Sequence, residues 1–159
     1  MKINKTNIAR LLDKEKIAYE LVPYEVDESD LSATHVAEGL GQDPHQIFKT
    51  LVLHGDKTKE FVCIIPGIEE VDLKMAAKIS GNKKCEMIPM KDLLTTTGYI
   101  RGACSPLGMK KQFPTYIDEH CYKFDCVFVS AGKRGLQIKI APKDLIKITN
   151  AKVCSLFNT

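Results

Sequence analysis

A glycine-rich loop in the second half of the chain is the stretch whose residue types could do chemistry. It runs from Tyr99 to Lys111 and contains Gly102, Pro106 and Gly108. Glycine lets backbone N–H groups turn toward a ligand without a Cβ in the way, and proline holds such a loop in one shape. Amides presented in this way bind an oxyanion, a carbonyl or a phosphate. An ordinary turn has the same composition, so the loop by itself does not establish a site.

A lysine within an apolar strand is the second feature. Lys49 lies in the predicted strand Phe48–Leu53, where alternation places it on the same face as Leu51 and Leu53. A lysine on an apolar face either leaves at the end of the strand or points into a polar pocket. Lys49 is therefore a candidate for the second role.

A cysteine inside the loop is a possible nucleophile. Arg101 and Lys110 would lower the pKa of the Cys104 thiol and so favour its reactive thiolate. The chain has six cysteines without a CxxC pair, however, so they are expected to be free thiols and any one of them is weak evidence for catalysis. Backbone amides together with Lys49 would instead suit a site that polarises an ester carbonyl without a protein nucleophile.

Length and composition predict a single domain over residues 1–159. The hydrophobic fraction of 44% and the charged fraction of 27% are typical of a soluble globular protein. No run approaches the length of a membrane span and the first residues do not form a signal peptide, so a cytoplasmic location is expected. The four histidines and the cysteines lack metal-binding spacing, and neither a metal nor a cofactor is expected.

Charge is distributed unevenly along the chain. Residues 1–97 carry a net charge of −3, whereas residues 98–159 carry +6. The second part is therefore the expected face for an anionic partner such as phosphate. The cations nearest to the loop and to the following turn are Arg101, Lys110, Lys111, Lys133 and Arg134.

Hydrophobic periodicity and capping residues predict an α+β fold. Strands outnumber long helices and most connections are short, so a mixed, strongly curved and barrel-like sheet with helices packed outside is expected. Helices are predicted at 6–16, 32–40, 73–80, 89–97 and from Pro142, and strands at 18–24, 48–53, 61–66, 85–88, 115–118, 126–129, 136–140 and 153–157.

Three linked motifs resemble the YbaK/EbsC family of Cys-tRNA(Pro) deacylases, which are relatives of the editing domain of bacterial prolyl-tRNA synthetase. The motifs are Phe48-Lys49-Thr50-Leu51, the segment from Gly102 through Pro106 to Lys111, and Ser130-Ala-Gly-Lys-Arg-Gly-Leu136 followed by Ala-Pro-x-Asp-Leu. The resemblance runs in consistent order from about residue 24 to the end of the chain.

The resemblance implies a trans-acting enzyme that removes cysteine mischarged on tRNA(Pro). The implied activity extends to other cysteinyl-tRNAs. The thiol of the bound cysteinyl group would attack its own ester carbonyl and release the tRNA 3′ end, leaving a thiolactone. The implied partners are the 3′ acceptor end of tRNA(Pro) and prolyl-tRNA synthetase, with no DNA and no membrane. The synthetase would supply tRNA identity, because a chain of this size has no separate anticodon-reading module.

The resemblance also implies roles for individual residues. Lys49 and Gly102 would be catalytic, Lys49 by holding the terminal nucleotide or the carbonyl and Gly102 by positioning the ester and its developing oxyanion. The implied substrate-binding residues are Tyr24, Thr50, Ala103, Cys104, Ser105, Pro106 and Ser130. The charge distribution, rather than the resemblance, assigns the phosphates of the acceptor stem to Arg101, Lys110, Lys111, Lys133 and Arg134.

Two other functions stay open at this point. One is a deacylase that clears alanine from tRNA(Pro) with a bound water, and the other is a non-catalytic module that binds tRNA ends or a synthetase. Ala103 replaces a second glycine that is common in relatives, and the segment 31–35 lacks the expected aromatic residue. The preferred amino acid is therefore less firmly predicted than the reaction class.

Overall fold

The computed structural model describes residues 6–158, in which capping side chains define where helices begin. Thr6, Ser32 and Asp72 each accept a hydrogen bond from a backbone N–H of the helix that follows. Gly41 and Gly81 end two of these helices with φ of +67° and +82°, the left-handed conformation that favours glycine. The α-helices are α1 (Asn7–Lys14), α2 (Ala33–Leu40), α3 (Leu73–Ser80), α4 (Leu93–Thr97) and α5 (Pro142–Thr149).

The strands form two sheets. They are β1 (Tyr19–Pro23), β2 (Phe48–Gly55), β3 (Lys59–Pro66), β4 (Cys85–Met87), β5 (Thr115–Asp118), β6 (Val127–Ser130), β7 (Leu136–Ile140) and β8 (Lys152–Cys154). One sheet is antiparallel in the order β1-β7-β6, and the other is mixed in the order β4-β2-β3-β5-β8. The predicted α+β class with a mixed sheet is confirmed.

The predicted barrel-like curvature is wrong, because neither sheet closes. Within residues 6–158, the edge strands of the antiparallel sheet, β1 and β6, form no ladder with the edge strands of the mixed sheet, β4 and β8. Over the same described residues, the backbone pairing between the two sheets consists of a parallel bridge between Ile47 and Phe128.

Hydrophobic clusters hold the helices against the sheets. The main cluster joins Ile8 and Leu12 of α1 and Leu145 of α5 to buried residues of both sheets. A second cluster packs Ala76 of α3 against the mixed sheet, and a third packs α2 against β6. No helix within the described range is long and apolar enough to cross a membrane.

The last strand is shorter than predicted. The sequence predicts a strand over 153–157, but β8 ends at Cys154. Beyond it, the backbone N–H of Leu156 donates to Oδ2 of the fully buried Asp118 at 3.0 Å. A buried carboxylate therefore accepts the hydrogen bond that the backbone of a neighbouring strand would otherwise accept. A pattern of apolar residues does not reveal this contact.

Candidate active site

A cavity of about 350 Å³ is lined by residues from both sheets, from the start of α2 and from the glycine-rich loop. Its volume is in the range of pockets that bind small ligands. Among the sequence-predicted site residues, the cavity brings together Tyr24, Lys49, Thr50, Arg101, Gly102, Cys104 and Ser130.

Lys49 is the second residue of β2 and is partly buried at the cavity wall. Burial lowers the pKa of its ammonium group below the usual value, and the nearby Glu70 and Glu69 partly offset this effect. Desolvation of a charged group strengthens its interaction with a ligand. Lys49 therefore offers a cation that would act strongly on an ester carbonyl or a phosphate entering the cavity.

Gly102 adopts a backbone conformation that suits glycine, with φ of +84°. A Cβ added at Gly102 would lie 3.1 Å from Nε of Arg134 and 3.2 Å from Cδ1 of Leu31. Both the backbone angle and the close neighbours therefore explain why glycine occupies this position at the cavity.

The β6–β7 hairpin holds the loop around Gly102 in place. The Ser130 hydroxyl donates to the carbonyl oxygen of Ala103 at 2.8 Å and accepts from the Gly132 N–H at 3.1 Å. Nε of Arg134 donates to the carbonyl oxygen of Arg101 at 2.8 Å. Ser130 therefore lines the cavity and also fixes the loop, a second role that the motif alone does not imply.

Tyr24 and Thr50 complete one side of the cavity. The backbone N–H of Tyr24 donates to the carbonyl oxygen of Gly135 at 2.9 Å, so the chain beyond β1 stays attached to the hairpin. Thr50 is buried, with 9% of its surface exposed. Both residues line the cavity.

Cys104 does not have the lowered pKa that its neighbouring cations predict. Burial raises the pKa of its thiol to about 12. The thiol is therefore protonated at neutral pH and is a poor nucleophile. All six cysteines of the chain are free thiols.

Three predicted substrate-binding residues lie outside the cavity. Ala103 and Ser105 are buried within the loop, with 2% and 0% of their surfaces exposed. The Ser105 hydroxyl accepts from the backbone N–H of Leu107 at 3.3 Å. Pro106 lines a separate cavity of about 180 Å³. These three residues therefore contribute to the shape of the loop and do not line the cavity.

The predicted phosphate-binding cations are in different environments. Arg101 lines the cavity, whereas Arg134 forms an ion pair with Glu28. Nζ of Lys111 lies 5.8 Å from the centre of the Phe113 ring. The remaining two, Lys110 and Lys133, are exposed outside the cavity.

Gln137 is a cavity residue that the sequence analysis missed. It lies in β7 between Leu136 and Ile138, which are both buried in the main cluster. Alternation places Gln137 on the opposite face, where a polar side chain normally meets solvent. Here that face lines the cavity, and 5% of Gln137 is exposed. Because Leu-Gln-Ile-Lys-Ile alternates apolar and polar residues, the pattern predicts a solvent-facing Gln137, and no signal in the sequence separates it from an ordinary surface residue.

Across residues 6–158, no three His, Cys, Asp or Glu side chains are grouped so that they could hold a metal ion.

Comparison with known proteins links this chain to a family. Residues 28–148 match the family model described as the aminoacyl-tRNA editing domain. A relative in Enterococcus faecalis, named "Putative Cys-tRNA(Pro)/Cys-tRNA(Cys) deacylase EbsC", is 51% identical over 152 residues, covering 96% of this chain and 93% of the relative.

Solved structures show the same fold. One, described as a "putative trans-editing enzyme for prolyl tRNA synthetase", is 25% identical with a TM-score of 0.79 and covers 89% of this chain and 87% of its own. Another, the hypothetical protein APE2540, has a TM-score of 0.84 at 17% identity over 92% of this chain and 96% of its own. The family predicted from the three motifs is confirmed, and this chain belongs to the aminoacyl-tRNA editing domain family.

Proposed function

We propose that this chain is a trans-acting aminoacyl-tRNA deacylase that removes cysteine from tRNA(Pro), and from other cysteinyl-tRNAs as well. The name of the Enterococcus faecalis relative, at 51% identity, supports this substrate class. The cavity is large enough for an aminoacyl group, and it combines a partly buried lysine with a glycine loop.

One observation carries the mechanism: Lys49 and Gly102 line the same cavity, while its one thiol, Cys104, is held protonated. A cation and backbone amides stabilise an oxyanion but do not supply a nucleophile. We infer that the nucleophile is the thiol of the bound cysteinyl group itself, as the resemblance to the deacylase family implies.

The reaction begins when the substrate thiol gives up its proton to solvent. Its sulfur attacks the ester carbonyl carbon, and a C–S bond forms as the carbonyl oxygen becomes negatively charged. Lys49 and the backbone at Gly102 stabilise that oxyanion. The C–O bond to the ribose then breaks, and the ribose oxygen takes a proton, so the products are a cyclic thiolactone and free tRNA.

We also propose that prolyl-tRNA synthetase supplies the tRNA identity. A structure with the same fold is described as a trans-editing enzyme for that synthetase. Sedimentation of this chain with the synthetase and tRNA(Pro) should show a ternary species, and its absence would contradict the partnership.

The test of the activity is to incubate the chain with Cys-tRNA(Pro) and with Ala-tRNA(Pro) and to follow loss of each ester. We expect rapid loss of the cysteinyl ester alone. Lys49→Ala should lower the rate by about 100-fold or more, in line with the loss of one oxyanion-stabilising group. Lys57→Ala, which removes an exposed lysine from the turn after β2, should retain the rate.

The other outcomes point to other functions. Equal loss of the alanyl ester would favour a water mechanism over the substrate thiol. Tight binding of both tRNAs without loss of either ester would make the chain a binding module.

A further inference from the structure

Two oxygen atoms in the cavity wall are buried without a hydrogen-bond partner. They are Oγ1 of Thr50 and Oε1 of Gln137, and their side chains belong to residues that are 9% and 5% exposed. Buried polar groups in folded proteins are nearly always paired, and an unpaired one lowers stability. The two oxygens therefore indicate where a ligand supplies hydrogen-bond donors.

Different sheets bring the two residues to the same cavity. Gln137 lies in the central strand of the antiparallel sheet, between Val22 and Ser130 in register. Thr50 lies in β2 of the mixed sheet, opposite Ile64. The Ser130 hydroxyl is already engaged with the loop, so it does not satisfy Gln137.

Depth in the cavity limits which part of an aminoacyl-tRNA can reach these oxygens. Arg101 and Gly102 are exposed residues of the cavity lining, whereas Thr50 and Gln137 are buried. The amino acid is the last group on the 3′ end of a charged tRNA, and the ribose and adenine follow behind it. The group that reaches the buried oxygens is therefore the aminoacyl group.

We propose that Gln137 and Thr50 bind the α-ammonium group of the aminoacyl ester, an inference that rests on the proposed function. The ammonium group carries N–H donors in three directions, and a carboxamide oxygen and a hydroxyl oxygen can each accept one. Holding the nitrogen fixes the α-carbon, so the substrate side chain and the ester carbonyl keep one relative orientation. A peptidyl-tRNA, whose α-nitrogen is acylated and uncharged, would be rejected.

The test compares two substrates that differ only in the amine. Cys-tRNA(Pro) and 3-mercaptopropionyl-tRNA(Pro) have the same thiol and ester, but the second lacks the α-amine. After correction for uncatalysed ester loss, the unaltered chain should have about tenfold or more lower kcat/KM for the second substrate, as expected for a lost charge-assisted hydrogen bond.

Two pairs of variants identify the residues. Gln137→Met removes the acceptor oxygen at similar length and should lower kcat/KM for Cys-tRNA(Pro) about tenfold while leaving the mercaptopropionyl substrate unchanged. Gln137→Glu keeps an oxygen and should keep the preference for the amine. Thr50→Val should weaken the preference and Thr50→Ser should keep it, which provides a second test if Gln137→Met does not fold.

Equal cleavage of both substrates by the unaltered chain would overturn the inference. It would also be overturned if Gln137→Met and Thr50→Val lowered kcat/KM by the same factor on both substrates, since such a loss reflects cavity structure and not amine binding.

A binding measurement separates this inference from the proposed function. Calorimetry with 3′-cysteinylamino-3′-deoxyadenosine, whose amide resists cleavage, and with its counterpart lacking the α-amine tests the ammonium site without turnover. Tighter binding of the amine-bearing compound, lost in Gln137→Met, supports the site even if Cys-tRNA(Pro) is not cleaved. Equal binding of the two compounds overturns the site even if cleavage is observed.

Discussion

Gly102 shows how one residue can be specified by both its backbone and its neighbours. Its φ of +84° is accessible to glycine and strained for other residues. A Cβ added at Gly102 would also be close to Arg134, which holds the loop, and to Leu31, which lines the cavity. A substitution at Gly102 should therefore disturb the site in addition to lowering stability.

We predict that Gly102→Ala destabilises the fold by about 1–2 kcal/mol through left-handed strain and lowers deacylation about tenfold or more. The matched control is Gly81→Ala, where φ is +82° and no atom lies within 4 Å of the added Cβ. Urea denaturation and ester-loss rates check both variants. If the two variants lost activity equally, strain alone and not the site would explain the loss.

At the scale of elements, the β6–β7 hairpin positions the glycine-rich loop. Ser130 donates a hydrogen bond to the carbonyl oxygen that follows Gly102, and Arg134 donates one to the carbonyl oxygen that precedes it. Arg134 also pairs with Glu28, so its charge is already partly neutralised. Arg134 is therefore better described as a residue that positions the loop than as a phosphate ligand.

We predict that Arg134→Ala lowers kcat/KM about tenfold, because the loop loses one of its attachments, with little change in the dependence on salt. Lys133→Ala, at an exposed neighbouring cation, should change kcat/KM less. Rates measured between about 50 and 200 mM salt test this, because loss of a phosphate contact would reduce the slope of log rate against log salt by about one. Such a reduced slope for Arg134→Ala would contradict a positioning role.

For the whole molecule, burial of thiols links stability to pH. Burial raises the pKa of Cys104 to about 12 and those of Cys121 and Cys154 to about 11, and it raises the pKa of Cys63 as well. An unfolded thiol loses its proton near pH 9, whereas these folded thiols keep theirs. The unfolded state therefore binds fewer protons above pH 9, and the free energy of unfolding falls as pH rises.

We predict that each of these thiols contributes a loss of about 1 kcal/mol of stability between pH 9 and pH 10, with little change below pH 8. Urea denaturation midpoints measured at pH 8, 9 and 10 under reducing conditions test this expectation. Cys121→Ala should show a shallower decline than the unaltered chain. Equal midpoints at pH 8 and pH 10 would show that burial does not keep the thiols protonated in the folded state.

Local features of the sequence were sufficient to predict most elements and the family. Capping residues such as Ser32 and Asp72, with glycines after the helices, define helix ends because they act within one turn of the chain. The motifs around Lys49, Gly102 and Ser130 are likewise local, and they predicted residues that line the same cavity.

Only the tertiary structure decided features that depend on residues distant in the sequence. The strands divide into two open sheets because the edge strands of one form no ladder with those of the other, the Cys104 thiol stays protonated because other elements bury it, and Gln137 lines the cavity although alternation predicts exposure. Arg134 pairs with Glu28, which lies 106 residues away in the chain. Edge pairing, desolvation and ion pairing depend on which surfaces meet in space, and spacing along the chain does not specify that.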